Sequence, residues 1–399
     1  MKAAGSTIPL SDFDREIVER ITAAGGRVYL VGGVLRDLLL GREPQDRDYC
    51  VTGLTGEEFQ NLFPQAALVG KDFPVFILKG DTYALARREK KTAKGYRGFE
   101  IFSSPQVSIE EDLKRRDLTV NAMALDLSTG QLIDPYGGLE DLRRGILRAV
   151  SPAFAEDPLR VYRTARLAAH LGFRVDPPTL KLMGELKGEL PYLSPERVGE
   201  ELKKALASPQ PSRFFQVLGL AGVMDVHFPE LTALGELPPP FPGWDSALVY
   251  TLDLLDRVAF LTPEGPLRFA ALVHALEDGG ASLSQRLRLP RRFSSLGKAM
   301  AQELPRVLKL EVLPERQGVI LLQNLAKIPS GMEAASILLQ ALSLATGDPS
   351  LLALKDKLKR WSREVLALTG KDIEAPPGPL FGEKLLQARM ERLRSLRRG

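Results

Sequence analysis

Two aspartates two residues apart, Asp46 and Asp48, follow closely on the run LVGGVLRDLLLG at residues 30–41. Side chains alternate faces along a strand, so Asp46 and Asp48 project together and can share divalent cations, the geometry of two-metal phosphoryl transfer. Magnesium favours carboxylate and phosphate oxygens, and two carboxylates with a triphosphate leave room for the waters it retains, so Mg2+ is the expected metal. Ahead of the pair, Gly32 and Gly33 close an apolar run. Such glycines let the backbone approach a ligand, and their N–H groups, with the next helix N-terminus, can cradle phosphate oxygens while Arg36 adds charge. Taken singly, a glycine pair is an ordinary strand-to-helix turn and Asp-x-Asp an ordinary solvated one. Their succession in one short stretch departs from both.

Two further segments carry charge in usable patterns. EDLKRRDLTVNAMA, residues 111–124, starts inside a capping box formed by Ser108 and Glu111 and passes from a basic helix into an apolar strand. Arg115 and Arg116 can face phosphates there and Asp117 can accept from a ribose hydroxyl; the plainer alternative is a helix end whose arginines offset its dipole. In EDPLRVYRTAR, residues 156–166, Pro158 suits a first helical position and Asp157 an N-cap. Arg160, Arg163 and Arg166 recur every third residue, so each step turns only about 60° round a helix and neighbours share a face. Asp157 and Arg166 fall on nearly opposite sides, which implies a strip that reads several parts of one nucleotide. A carboxylate beside a guanidinium, as in Asp157 and Arg160, complements the Watson–Crick edges of cytosine and adenine and opposes those of uracil and guanine.

The elements that must position these residues are legible around them. Ser11 opens an amphipathic helix through Ile21, Gly25 and Gly26 break it, and Val28 to Val31 reads as a short buried strand. Further strands are expected at Asp48–Val51, Val75–Lys79, Thr82–Ala86, Gly98–Phe102 and Asn121–Leu127, with two helical patterns between them, making an α+β unit. From about Gly138 the apolar spacing turns helical and the remainder is expected to be all-α, interrupted by LPPPFPG at residues 237–243 and APPGP at 375–379. The last helical segment carries Arg389, Arg392, Arg394, Arg397 and Arg398, which suits either a phosphate backbone or a solvated end.

Composition narrows the classes. At 399 residues the chain exceeds what one core sustains. Lys and Arg outnumber Asp and Glu by 54 to 50, a net charge of +4 that permits a polyanionic partner without demanding one. One cysteine forms no internal disulfide, and three histidines with it make a zinc site of the usual ligands a poor expectation. No apolar run approaches the roughly 18–20 residues of a membrane span, and the N-terminus turns charged too early for a signal peptide, so a cytoplasmic protein is expected.

Between Val28 and Leu206 the motifs LVGGVLRD, DRD, LKRRDLTVNAMA, DPYGGLEDL, EDPLRVYRTAR and SPERVGEELKKAL occur in an order that resembles the class II tRNA nucleotidyltransferase (CCA-adding) and bacterial poly(A) polymerase family. LTGKD at 368–372 and GPLFG at 378–382 are similar to the tail of that family. The resemblance implies an α+β protein with an N-terminal polymerase-β-like nucleotidyltransferase head built on a mixed sheet, followed by an all-α neck, body and tail. The expected divisions are a head at 1–138, a neck at 139–206, a body at 207–320 and a tRNA-binding tail at 321–399. Asp46 and Asp48 are implied to bind the metals, Gly33, Arg36 and Arg116 the triphosphate and ribose, and Asp157, Arg160, Arg163 and Arg166 the incoming CTP or ATP. The implied partners are tRNA, ATP and CTP, with neither a membrane nor a protein partner, and the implied reaction is attack of the tRNA 3′-hydroxyl on the α-phosphate. No third carboxylate is assigned.

RREKKTAKGYRG, residues 87–98, resembles the intact flexible loop that relatives restricted to C addition lack, which argues against a CC-only enzyme. It leaves open full CCA addition, A addition alone and poly(A) synthesis. A catalytically inactive RNA-binding descendant would have lost Asp46 or Asp48. In the body, some relatives carry a phosphohydrolase module whose His-Asp doublet falls where this chain has His274 and Ala275, so that module is expected to be vestigial and His274 a packed helical histidine.

Overall fold

The computed structural model describes residues 12–43, 47–70, 74–91, 99–372 and 379–398. Asp46 and Ser11 lie outside them, as do residues 92–98 of the loop segment and 373–378 of the second proline-rich passage. The chain divides into two compact units, the first made of Met1–Thr164 and Phe173–Leu193, the second of Ala165–Gly172 and Ser194–Gly399.

The first unit opens with α1 (Asp12–Ala23), β1 (Arg27–Val31), α2 (Gly32–Leu39), β2 (Asp48–Thr52) and α3 (Gly56–Leu62). There follow β3 (Ala67–Val69), β4 (Val75–Leu78), β5 (Asp81–Leu85), β6 (Arg87–Lys91), β7 (Phe99–Ser103) and α4 (Ile109–Lys114). β8 (Ala124–Asp126), β9 (Leu132–Ile133), α5 (Gly138–Arg144), β10 (Ile146–Leu147), α6 (Leu159–Leu171), of which the residues up to Thr164 belong to this unit, β11 (Arg174–Val175) and α7 (Pro177–Glu185) complete the run. Seven strands form one sheet in the order β3-β4-β5-β2-β1-β8-β9. β2 and β5 are parallel and the other pairs antiparallel, so the sheet is mixed.

β1 is apolar at every second residue twice over because both its faces are covered. Val28 and Leu30 join Ile17, Ile21 and Phe59 in one core under α1 and α3, whereas Tyr29 and Val31 join Cys50, Ile109 and Leu113 in another under α4. The expected strands occur within a residue or two, except that Asn121–Leu127 shortens. Thr119–Asn121 is a turn of 3-10 helix, and only Ala124–Asp126 pairs with β1. β6 escapes a search for apolar alternation because its five residues are RREKK; its pairing with β7 runs from Arg87↔Ser103 to Lys91↔Phe99.

Among the described residues past Gly138 the regular structure is helical apart from a parallel pair, Ile146↔Arg174 and Leu147↔Val175, and an isolated bridge from Ala149 to Leu118. Two-residue strands are too short to display a period, which is why the expectation of an entirely helical remainder missed them. The second unit buries Leu254, Met300, Leu322, Leu339, Leu358 and Trp361 in one core. Arg268 lies buried inside this unit. Its Nε donates to Thr262 O, Nη1 to Leu206 O and Ser208 O, and Nη2 to Ala259 O, all within 2.6–2.9 Å. It thereby satisfies carbonyls at the ends of the helices Pro195–Leu206 and Ala247–Leu261.

Four arginines of the C-terminal helix Pro379–Arg398 make contacts within the second unit, although Arg392, Arg394 and Arg398 remain exposed. Arg389 donates to Leu368 O, Arg392 to Glu364, Arg394 to Glu315, and Arg397 to the carbonyls of Leu310 and Leu313. His274 follows the helix Gly265–Val273 and packs inward, with Nδ1 2.7 Å from Ala271 O and Nε2 3.3 Å from the Tyr250 hydroxyl. Burial lowers its pKa. Among the described residues no single helix is long and apolar enough to cross a membrane.

Candidate active site

The turn from β1 into α2 is shaped by what lies over it. Gly32 adopts a φ of +73°, a conformation that side chains other than glycine's resist, and a Cβ there would stand 3.1 Å from Arg116 Nη1. A Cβ on Gly33 would stand 3.4 Å from Arg36 Nη2. Two guanidinium groups therefore overhang the glycine pair at the start of a helix, an arrangement that concentrates N–H donors and positive charge on one small volume.

Both guanidiniums are held from behind. Arg36 is buried; its Nε and Nη2 donate to the two carboxylate oxygens of Asp37 at 3.0 Å each, and Nη1 donates to Asn121 Oδ1 at 2.7 Å. Arg116 Nη2 donates to Asp112 Oδ2 at 3.1 Å, Nη1 reaches Asn121 O at 3.5 Å, and its buried Nε has no acceptor among the described residues. Asp112 is fully buried and also receives Arg115 and the Arg87 backbone N–H. Burial alone would raise its pKa, but Arg115 and Arg116 outweigh that and hold its carboxyl below the usual range.

Asn121 extends the network by donating from Nδ2 to Asp117 Oδ1 at 3.1 Å. Asp117 Oδ1 also accepts from Leu118 N, and its Oδ2 takes Arg163 Nε at 3.1 Å and Nη2 at 3.0 Å. Four contacts fill the acceptor sites of an ionised carboxylate, so Asp117 is occupied in holding Arg163 and Asn121 and is not left to receive a ribose hydroxyl. Burial would raise its pKa, yet Arg163, the Asn121 amide and the Arg160 charge together hold it far below the usual carboxylate range. Gly33, Arg36, Arg116 and Arg163 thus belong to one connected cluster with Asn121 and Asp117 at its centre.

The other expected residues lie outside this side-chain hydrogen-bond network. Asp48 begins β2 and is exposed; alternation gives it the face of Cys50, and the register Leu30↔Tyr49 carried one step on puts it beside Val31 at the mouth of the glycine turn. Asp157 Oδ1 accepts from Leu159 N at 3.0 Å, so it caps α6, as its spacing from Pro158 suggests. Arg160 is buried, and it clips Ala153 O at 2.7 Å to Arg115 O at 2.6 Å. Arg166 falls in the second unit, where its Nε donates to Glu201 Oε2 at 2.6 Å.

Asp37, Asp112 and Asn121 escaped the sequence reading as holders of the arginines. Asp112 carried a usable signal: an acid three and four residues before Arg115 and Arg116, on the helix face of Ile109 and Leu113. Asn121 had none, because its reach to Arg36 spans 85 residues.

The donor chemistry suits a hard divalent cation. Asp48 offers carboxylate oxygen at the edge of a cationic turn fit for a polyphosphate, and among the described residues no group of three or more His, Cys, Asp or Glu offers a competing cage.

Residues 28–148 match the poly A polymerase head domain, and residues 172–234 the probable RNA- and SrmB-binding site of polymerase A. The chain is 45% identical over 303 residues to the multifunctional CCA protein of Nitrosococcus oceani, a match covering 69% of this chain and 73% of that protein. The Bacillus stearothermophilus CCA-adding enzyme in complex with CTP superposes with a TM-score of 0.65 at 26% identity, covering 95% of this chain and 92% of that one. The Thermotoga maritima CCA-adding enzyme complexed with tRNA gives a TM-score of 0.67 at 21% identity, covering 96% and 93%. A head built on a mixed sheet, a run of helices after it and a relative this similar over this length place the chain in the class II CCA-adding tRNA nucleotidyltransferase and poly(A) polymerase family.

Proposed function

We propose that this chain is a CCA-adding tRNA nucleotidyltransferase, which appends C and A from CTP and ATP to the 3′ end of tRNA without a nucleic-acid template. The observation that carries the reading is the pair Arg36 and Arg116 standing over Gly32 and Gly33 beside Asp48. The division into head 1–138, neck 139–206, body 207–320 and tail 321–399, and a cytoplasmic location, go with it.

Nucleotidyltransferases of this family use a divalent metal, and Mg2+ suits the hard oxygen donors of Asp46 and Asp48. Bound there, it supplies charge neutralisation for the attacking 3′-hydroxyl and the departing pyrophosphate. The protein's own groups do the positioning. Backbone N–H groups at Gly32 and Gly33 with Arg36 and Arg116 hold the triphosphate, and Asp37, Asn121 and Asp112 fix those guanidiniums before the nucleotide arrives, so that no reorganisation is needed in the transition state. Arg163, fixed by Asp117, joins Asp157, Arg160 and Arg166 in holding the nucleoside.

Asp48→Ala is expected to abolish incorporation of both labelled CTP and labelled ATP while tRNA binding stays within about twofold of the unsubstituted chain, since phosphate contacts elsewhere dominate affinity. Turnover by Asp48→Ala in magnesium comparable to that of the unsubstituted chain would reject the assignment.

A further inference from the structure

Among the buried carboxylates outside the cluster over the glycine turn, one bears directly on β2. Asp14, near the start of α1, is buried and grips both residues that flank Asp48 in the described chain. Arg47 Nη1 donates to its Oδ2 at 2.7 Å, and the Tyr49 hydroxyl donates to its Oδ1 at 3.0 Å. Tyr49 is itself fixed, stacked on Tyr83 with ring centroids 4.7 Å apart in the core under α1. Asp48 lies between these two residues, on the opposite face of the strand with Cys50.

Arg47 is also the residue between Asp46 and Asp48 in the sequence. A guanidinium is always charged, pairs with carboxylates through a two-pronged fork and sits on a long flexible stem. Released from Asp14, it can compete with a metal ion for the adjacent Asp48 carboxylate. With Asp14 present its charge is balanced on the α1 side of the sheet.

We propose that Asp14 is a positioning residue for the metal site, sequestering the Arg47 cation on the α1 face so that the opposite face is left to a divalent cation. The inference rests on the reading of Asp46 and Asp48 as metal ligands, and its test separates the two. Mn2+ is titrated into the full chain and free Mn2+ is read by electron paramagnetic resonance, with no turnover involved. Asp14→Asn is nearly isosteric and still accepts from Tyr49. It is expected to weaken Mn2+ binding about fivefold, the scale of one partly exposed ion pair, and adding Arg47→Ala is expected to restore binding to within about twofold. Arg47→Ala alone is expected to stay within about twofold, because the charge it removes is already held away. Unaltered Mn2+ affinity in Asp14→Asn, a loss that Arg47→Ala does not repair, or tightening beyond about fivefold by Arg47→Ala alone would overturn the proposal. The last of these decides even where Asp14→Asn yields no folded protein. Asp48→Asn tests the underlying reading separately: it is expected to remove Mn2+ binding, and undiminished binding would reject the metal site whatever Asp14 does.

Discussion

At the level of single residues, the cluster over the glycine turn and the start of α6 do different work. Arg36, Arg116 and Arg163 each have a carboxylate or amide fixing the guanidinium plane, and the planes are thereby set before any ligand arrives. Asp157 and Arg160, which the sequence pairs as a reader of the base, are engaged with backbone here, one as a cap and the other as a clip between Ala153 and Arg115. Reading a base with this pair therefore requires the Arg160 guanidinium to exchange carbonyl contacts for a nucleobase. The double substitution Asp157→Ala, Arg160→Ala is expected to let UTP and GTP enter at rates nearer those of CTP and ATP while total activity falls, because wrong bases no longer leave buried protein groups unpaired. The check is the ratio of incorporation rates for the four nucleotides. An unchanged ratio would reduce both residues to a cap and a clip and move selection elsewhere.

Elements show where sequence pattern is informative and where it is silent. β1 and β2 were legible because residues on both their faces are buried and the apolar run says so. β6 was not, since a strand of RREKK owes its position to pairing with β7 and to the ties that Glu111 and Asp112 make to Arg88 and Arg87. That hairpin leads into the segment similar to the family's loop, and shortening it between Lys90 and Arg97 is expected to impair addition of the final A more than of the two Cs. Equal loss at all three steps would count against the assignment. In the second unit, Arg268 satisfies four carbonyls where two helices end. Arg268→Met is expected to cost about 3 kcal/mol or more of stability by leaving those acceptors buried and unpaired. Urea unfolding measures this, and a change below about 1 kcal/mol would show that water replaces the guanidinium without penalty.

Across the whole molecule, what the sequence carries best is what chemistry constrains locally: a glycine pair, two spaced aspartates, a triplet of arginines. It carries poorly whatever depends on distant partners. Asn121 became central only through its reach to Arg36, and nothing local in the sequence says that Leu310, Leu313, Glu315 and Glu364 receive three of the arginines at the C-terminus. A mixed-sheet head with helices after it serves CCA addition, A addition and poly(A) synthesis equally well, because all three share one phosphoryl transfer. The products separate them. Purified chain and magnesium are incubated with tRNAs ending at the discriminator base, after one C and after two, with CTP, ATP or both, and product lengths are read on a gel. The account predicts that CTP alone stops after the second C, ATP alone adds a single A only to the tRNA already ending in two Cs, and both together stop at CCA. Extension by ATP whatever the starting end, runs of A beyond the first, or failure to use CTP would contradict it.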